Sequence, residues 1–275
     1  MSVLKKLPPF QNVGASLTAV LPAMPTVMGW TIEQIFFKLG GGNTIANMTG
    51  IRVWLGGKKI VEITGSHLDA INKYFKLTGN AAYLPIWFAN PKAKGLADYL
   101  LGALDTSRGY SGMSIEIDLG AGVAPTLEAY TRISAPIPKQ ADFRDTFRTL
   151  IKSAHAPGSA AEHSLAVPLG TSAGAFIRAL HFFHAQITQV QVTKDSFYLI
   201  EQGLNAVMQF DQNQLARTTQ AGLLSADFVL EDTDALAVPT LRQPGNVAGF
   251  DVKVTTAAAD AITAYSDLLR TFEAV

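Results

Sequence analysis

The 275-residue chain has no cysteine, which excludes disulfide staples, thiolate nucleophiles and cysteine-held metals together. It also has no net charge, because 22 Lys and Arg balance 22 Asp and Glu. A protein that binds polyanions carries a basic excess, so direct nucleic-acid binding is disfavoured. Charge of either sign is scarce, at 16% of residues against roughly 25% in an average soluble domain. The mean hydropathy is slightly positive, +0.19, as expected of a chain that hides much of its surface against partners. An unbroken apolar segment is missing too. Leu7 to Ile32 carries no charge, but Pro8, Pro9, Pro22 and Pro25 interrupt it, with Gln11, Asn12, Gly14 and Gly29. A spanning helix needs ~20 predominantly apolar residues and a signal core ~7–15. The segment fits neither, and reads as an ordered arm behind Lys5 and Lys6 that leads into a strand.

What is present is alternation. Met113, Ile115, Ile117 and Leu119 alternate with Ser114, Glu116 and Asp118; Phe250, Val252 and Val254 alternate with Asp251, Lys253 and Thr255. Such runs, like Ile51, Val53 and Leu55, predict strands with one buried face. Trp30 to Leu39 differs, with Ile32 and Phe36 on one face and Ile35 and Phe37 on the other, so this strand is expected to be covered on both sides. Gly56-Gly57 predicts a tight hairpin and Gly40–Gly42 a longer loop. Helical signal is sparse. Ser66 is placed to cap a helix, with Asp69 three residues on and Leu68, Ile71 and Phe75 on one face. Lys94 to Asp105 is a second short candidate, and Thr146 to Ala154 fits either a strand or a helix.

The two halves echo one another. "SLTAV" at Ser16, Phe36-Phe37, "RVWLGGKKIVEI" at Arg52, a helix at Leu68, a strand at Met113 and "AY" at Ala129 come in that order. "SLAV" at Ser164, Phe182-Phe183, "QVQVTKDSFYLI" at Gln189, a helix at Leu204, a strand at Ala226 and "AY" at Ala264 follow, at offsets of 148, 146, 137, 136, 113 and 135. The offset of 113 breaks the drift, and Phe250 is the better partner for the Met113 strand. The expectation is two copies of one β-sandwich, residues 1–138 with the N-terminal arm and residues 139–275. The joint is "SAPIPKQAD", Ser134 to Asp142, whose two prolines no periodic pattern crosses.

Chemical signals are few. Gly170-Thr171-Ser172-Ala173-Gly174 spells G-x-S-x-G, but an elbow serine needs an acid and then a histidine downstream. The histidines are 67, 155, 163, 181 and 184, and the last two lie too close behind Ser172 to turn back on it. The pattern reads as a bend between strands. His181 and His184 form H-x-x-H, which on a strand points to opposite faces and reads as two core or interface histidines. Glu231, Asp232 and Asp234 read as a solvated turn in preference to a hard-ion site. Gly40–Gly42 lacks the Gly-Lys-Ser/Thr of a phosphate loop, and Asn47-Met48-Thr49 is a sequon by spelling only. Trp30, Trp54 and Trp87 sit in strand patterns and read as packing. No catalytic, cofactor-binding or metal-binding residue is assigned.

The ordered series "PPFQNVGASLTAVLP", "TGIRVWLGGKKIVEI" into "TGSHLDAINKYF", "AYLPIWFANPKAKG", "MSIEIDLGAGVAPTLEAYTRIS", "SLAVPLGTSAGAFIRALHFF" and "ITQVQVTKDSFYLI" resembles the double jelly-roll major capsid proteins of tailless icosahedral double-stranded DNA viruses, in particular those of corticovirus-like marine phages in the tectivirus and adenovirus lineage. The likeness runs over nearly the whole chain and rests on order and spacing, with no room for large tower loops. It implies two fused eight-stranded jelly rolls with short helices in the connections, and a non-enzymatic subunit with no cofactor. It further implies a homotrimer forming a pseudo-hexameric capsomer, in a virion capsid assembled in the host cytoplasm. The implied partners are neighbouring capsomers, penton or vertex proteins, minor membrane-associated capsid proteins and a viral membrane, where Lys5 and Lys6 contribute about 1 kcal/mol each. The alternatives are a carbohydrate-binding or glycan-processing β-sandwich using its aromatics and, behind it, a serine hydrolase using Ser172.

Overall fold

The alternating runs become strands, eight principal ones in each half among the described residues, beside short strands at Leu104–Asp105, Val238–Pro239, Leu241–Gln243 and Asn246–Val247. The computed structural model describes all residues except 1, 25–26, 78–80, 123, 137–145, 170–173 and 244–245. The first half contains β1 (Val3–Lys6), β2 (Thr18–Leu21), β3 (Thr31–Gly40), β4 (Met48–Leu55), β5 (Lys58–Ile63), β6 (Tyr83–Trp87), β7 (Met113–Leu119) and β8 (Thr126–Ser134). The second contains β9 (Thr146–His155), β10 (Glu162–Ser164), β11 (Ala175–Phe183), β12 (Ile187–Lys194), β13 (Phe197–Leu204), β14 (Leu223–Asp227), β15 (Phe250–Thr256) and β16 (Ile262–Thr271). Three α-helices join them: α1 (Gly65–Tyr74), α2 (Leu96–Leu100) and α3 (Asn205–Gln214). Among the described residues no helix is long and apolar enough to cross a membrane.

Each half is a sandwich of two sheets, and the strand orders match. The first half pairs β1-β8-β3-β6 and β5-β4-β7-β2; the second pairs β9-β16-β11-β14 and β13-β12-β15-β10. Strand n therefore corresponds to strand n+8. The sheets β9-β16-β11-β14 and β5-β4-β7-β2 are continuous with each other, because β9 runs parallel to β5 with Leu150 opposite Val61.

The repeat extends to single hydrogen bonds. Asn72 on α1 donates its side-chain amide to Pro85 O at 2.8 Å, and Gln212 on α3 donates to Ser225 O at 2.6 Å. Leu77 N donates to Asn72 O, as Arg217 N does to Gln212 O. β3 bulges between Ile32 and Gln34, and β11 between Ile177 and Ala179. The bulged residues are Glu33 and Arg178, and their carbonyls accept from Phe88 N and Phe228 N. A bulge placed alike in two chain segments is a built feature.

Local expectations resolve as follows. Gly56 and Gly57 adopt φ +55° and +80° in the β4–β5 hairpin, as a type I′ turn requires. β3 is buried on both faces over most of its length. Thr146–Ala154 is strand. The α1 cap is Thr64, not Ser66: the Thr64 hydroxyl accepts from His67 N at 3.2 Å. The Lys94–Asp105 helix is only the five residues of α2, and Leu104–Asp105 instead adds to the edge of β3. Strand β7 does match β15, at Phe250, while Ala226 belongs to β14, the counterpart of β6. Residues 137–142 of the expected joint lie outside the described residues.

Two cores result, and they differ. The first contains the apolar residues of the first half together with Phe147, Leu150, Leu223 and Tyr265 from the second. The second is built from second-half residues alone.

Candidate assembly interface

Helix α1 lies across the outer face of the β9-β16-β11-β14 sheet. The His67 ring stacks on Phe183 with centroids 3.8 Å apart, and its Nδ1 is 2.8 Å from the Tyr265 hydroxyl. The Tyr74 hydroxyl donates to Asp227 Oδ2 at 3.1 Å, and its carbonyl accepts from Thr218 N at 2.9 Å. Tyr74 and Phe75 both set their rings edge-on to His181. Arg148 donates to Trp87 O at 2.9 Å, Asn90 to Asp232 O at 2.8 Å and Lys58 to Phe272 O at 3.1 Å. The halves are thus one packed body.

Behind α1 sits a network of buried charge. Asp267 on β16 is fully buried and takes both arms of the Arg148 guanidinium, at 2.8 and 2.7 Å, plus Arg178 Nη1 at 2.8 Å. Arg178 also donates to Asp234 at 2.8 Å. Arg217 donates to Asp227 at 2.8 Å, Asp232 at 2.5 Å and Val229 O at 2.6 Å. Burial pushes the Asp267 carboxyl up, but Arg148 and Arg178 outweigh it and hold the group well below the usual carboxylate range. Burial likewise opposes the charge on Arg178, and Asp234 and Asp267 overcome it. Every carboxylate here is paired with a guanidinium. The adjoining cavity, between Phe75, Asn90, Lys92 and the three arginines, measures about 10 Å³, room for one water and no substrate. This chemistry ties β9, β16 and β11 of one sheet to each other and, through Arg148 on Trp87 O, to the end of β6.

The sequence-selected residues fall in several places. Ser172 lies outside the described residues. His181 is completely buried in the network, with Nδ1 2.8 Å from Ser225 Oγ and Nε2 3.9 Å from Asp267. His184 is buried at the end of β11 and accepts from Gln186 N. No group of three metal-ligating side chains occurs among the described residues. The solvated-turn reading of Glu231, Asp232 and Asp234 holds only for Glu231, which is exposed. Asp232 and Asp234 are neutralised by Arg217 and Arg178, because a carboxylate drawn into a sandwich edge needs a cation. Trp30 is exposed just before β3, while Trp54 and Trp87 are half-buried on β4 and β6, so the tryptophans form no common platform. The network itself escaped sequence reasoning. Its one signal is a charge inside an apolar strand, Arg178 in "AFIRALHFF" and Asp267 in "TAYSDLLRTF".

Several exposed apolar side chains lie on β13 and α3. Phe197 on β13 is 79% exposed, and Val207 and Phe210 on α3 are 61% and 68% exposed. Exposed patches of this kind mark interaction surfaces.

Two fused eight-stranded jelly rolls, joined by one continuous sheet and apolar at the rim, define a double jelly-roll capsid protein. Solved structures agree. The major capsid protein P2 of bacteriophage PM2 superimposes with a TM-score of 0.83 at 18% identity, covering 99% of this chain and 98% of that one. A chain in the atomic structure of Sulfolobus turreted icosahedral virus gives 0.67 at 11% identity, covering 98% and 91%. The Faustovirus major capsid protein gives 0.59 at 9%, covering 98% and 90%. No curated protein matches the sequence. The chain belongs to the viral coat protein P2 family, whose N-terminal domain matches residues 4–134 and whose C-terminal domain matches residues 148–271. It is a major capsid protein, located in the virion shell.

Proposed function

We propose that three copies of the chain associate about a threefold axis into a capsomer of six jelly rolls, two per chain, over residues 1–138 and 139–275. Six near-equal units around an axis give a hexagonal outline, which tiles an icosahedral shell against neighbouring capsomers. The subunit works as wall material and carries no catalysis. Vertex proteins, minor membrane-associated capsid proteins and a membrane beneath the shell are its further partners. The observation that carries this reading is the strand-for-strand repeat of the two halves: a ring of three chains then presents one surface six times. Light scattering on the purified chain tests it. A stable species near three times 29.4 kDa is expected, and a monomer at every concentration overturns it.

A further inference from the structure

The joint inside the chain is made once, yet each of its surfaces has an unused copy. By the correspondence of n with n+8, β5 maps to β13 and β9 maps to β1. β13 ends one sheet and β1 ends another, and among the described residues neither outer edge is paired. The contact residues map in the same way. Val61 lies opposite Val53, and Ile200 lies opposite Val192 at the equivalent place in the second hairpin. Leu150 faces Asp267, and Leu4 faces the equivalent Arg132.

We infer that the β13 edge and α3 of one chain dock onto the β1 edge and the outer face of β1-β8-β3-β6 in a second copy, with Ile200 opposite Leu4 in a parallel pairing. This rests on the trimer proposed above and names the surfaces that close it. Leu150 is 5% exposed because it fills the first core, whereas Leu4 is 60% exposed and fills nothing. Ile200 is half-buried against the second core, which among the described residues is built from the second half alone.

The facing chemistry fits. Where α1 presents His67 and Phe75, α3 presents Val207 and Leu215, both exposed. The sheet opposite carries Phe36 stacked on Tyr130 at 5.4 Å with Tyr83 edge-on at 6.2 Å, an aromatic floor for an apolar helix. In the internal joint the Tyr265 hydroxyl is met by His67; the equivalent Tyr130 hydroxyl already donates to Glu128 at 2.9 Å. A valine at 207 therefore leaves no buried hydroxyl unsatisfied.

The absence of cysteine gives a clean background for cross-linking. A chain carrying Leu4→Cys and Ile200→Cys, treated with a short bismaleimide, is expected to yield covalent species of two and three chains, while each single variant yields neither. Val207→Asp, at an exposed position that leaves the fold intact by circular dichroism, is expected to raise the concentration needed for trimers at least tenfold. Trimers by light scattering that neither cross-link nor respond to Val207→Asp overturn this joint and leave the trimer standing. A wild-type chain that is monomeric throughout overturns the trimer and the joint with it.

Discussion

Helices α1 and α3 are each ten residues long and occupy the same place in their jelly rolls. Each is anchored by a side-chain amide on a strand carbonyl. Beyond that bond they part. α1 buries Leu68, Ile71 and Tyr74, while α3 buries only Gln212 and leaves Val207 and Phe210 in solvent. One fold has thus been given two surfaces: the first is completed by the same chain and the second is left open. What separates them is the neighbour: α1 packs on the outer face of the β9-β16-β11-β14 sheet through His67 and Tyr74.

Substitutions at equivalent positions sharpen that contrast. The largest effect is expected at the lock. Asp267→Ala leaves Arg148 without its carboxylate and Arg178 with Asp234 alone, which costs about 3–5 kcal/mol. Arg132→Ala, at the matching but exposed place in the first half, stays within about 0.5 kcal/mol. Urea unfolding of both variants checks this, and similar losses would mean that the halves are stabilised alike.

Next comes the pair at the parallel splice. Leu150→Ala is expected to cost about 2–3 kcal/mol by opening a cavity in the first core, while Leu4→Ala leaves the stability of a single chain unchanged. The comparison is made in dilute solution, where subunits are separate.

The smallest effect is in pH. Burial, with help from Lys152, lowers His67 from 6.5 to about 4. The folded chain then keeps a neutral imidazole where the unfolded chain takes up a proton, so stability is full above about pH 6.5 and declines as pH falls to about 4. His155, also lowered by burial, adds to the slope, so His67→Gln is expected to flatten it in part. Calorimetric Tm values over this range are the readout. Val207, at the equivalent place on α3, has no proton to take up.

Much of this architecture was legible in the sequence, though not at the resolution of single residues. The strand pattern, the repeat and the hairpin at Gly56-Gly57 follow from alternation and turn chemistry. The offset of 135 between Ala129 and Ala264 holds, since Ala129 pairs with Phe37 as Ala264 pairs with Phe182. The double phenylalanines slip by one: Phe37 corresponds to Phe182, not Phe183. In a strand one residue is one face, and that slip exchanges a core side chain for one at the joint. The helix slips by four, because Leu68 corresponds to Met208, not Leu204. Apolar runs fix which segments are strands but align equally well at neighbouring registers. The lock was illegible for a different reason. Arg148, Arg178 and Asp267 lie on three strands joined only by the fold, and no spacing along the chain announces them.

The sheet that crosses from one jelly roll to the other has a mechanical consequence. Tension applied to either half is carried into its neighbour through the β5–β9 pairing and the Arg148 bond to Trp87 O. Internal pressure on such a wall would be resisted along the circumference of each tile, as a barrel's staves are held by their band.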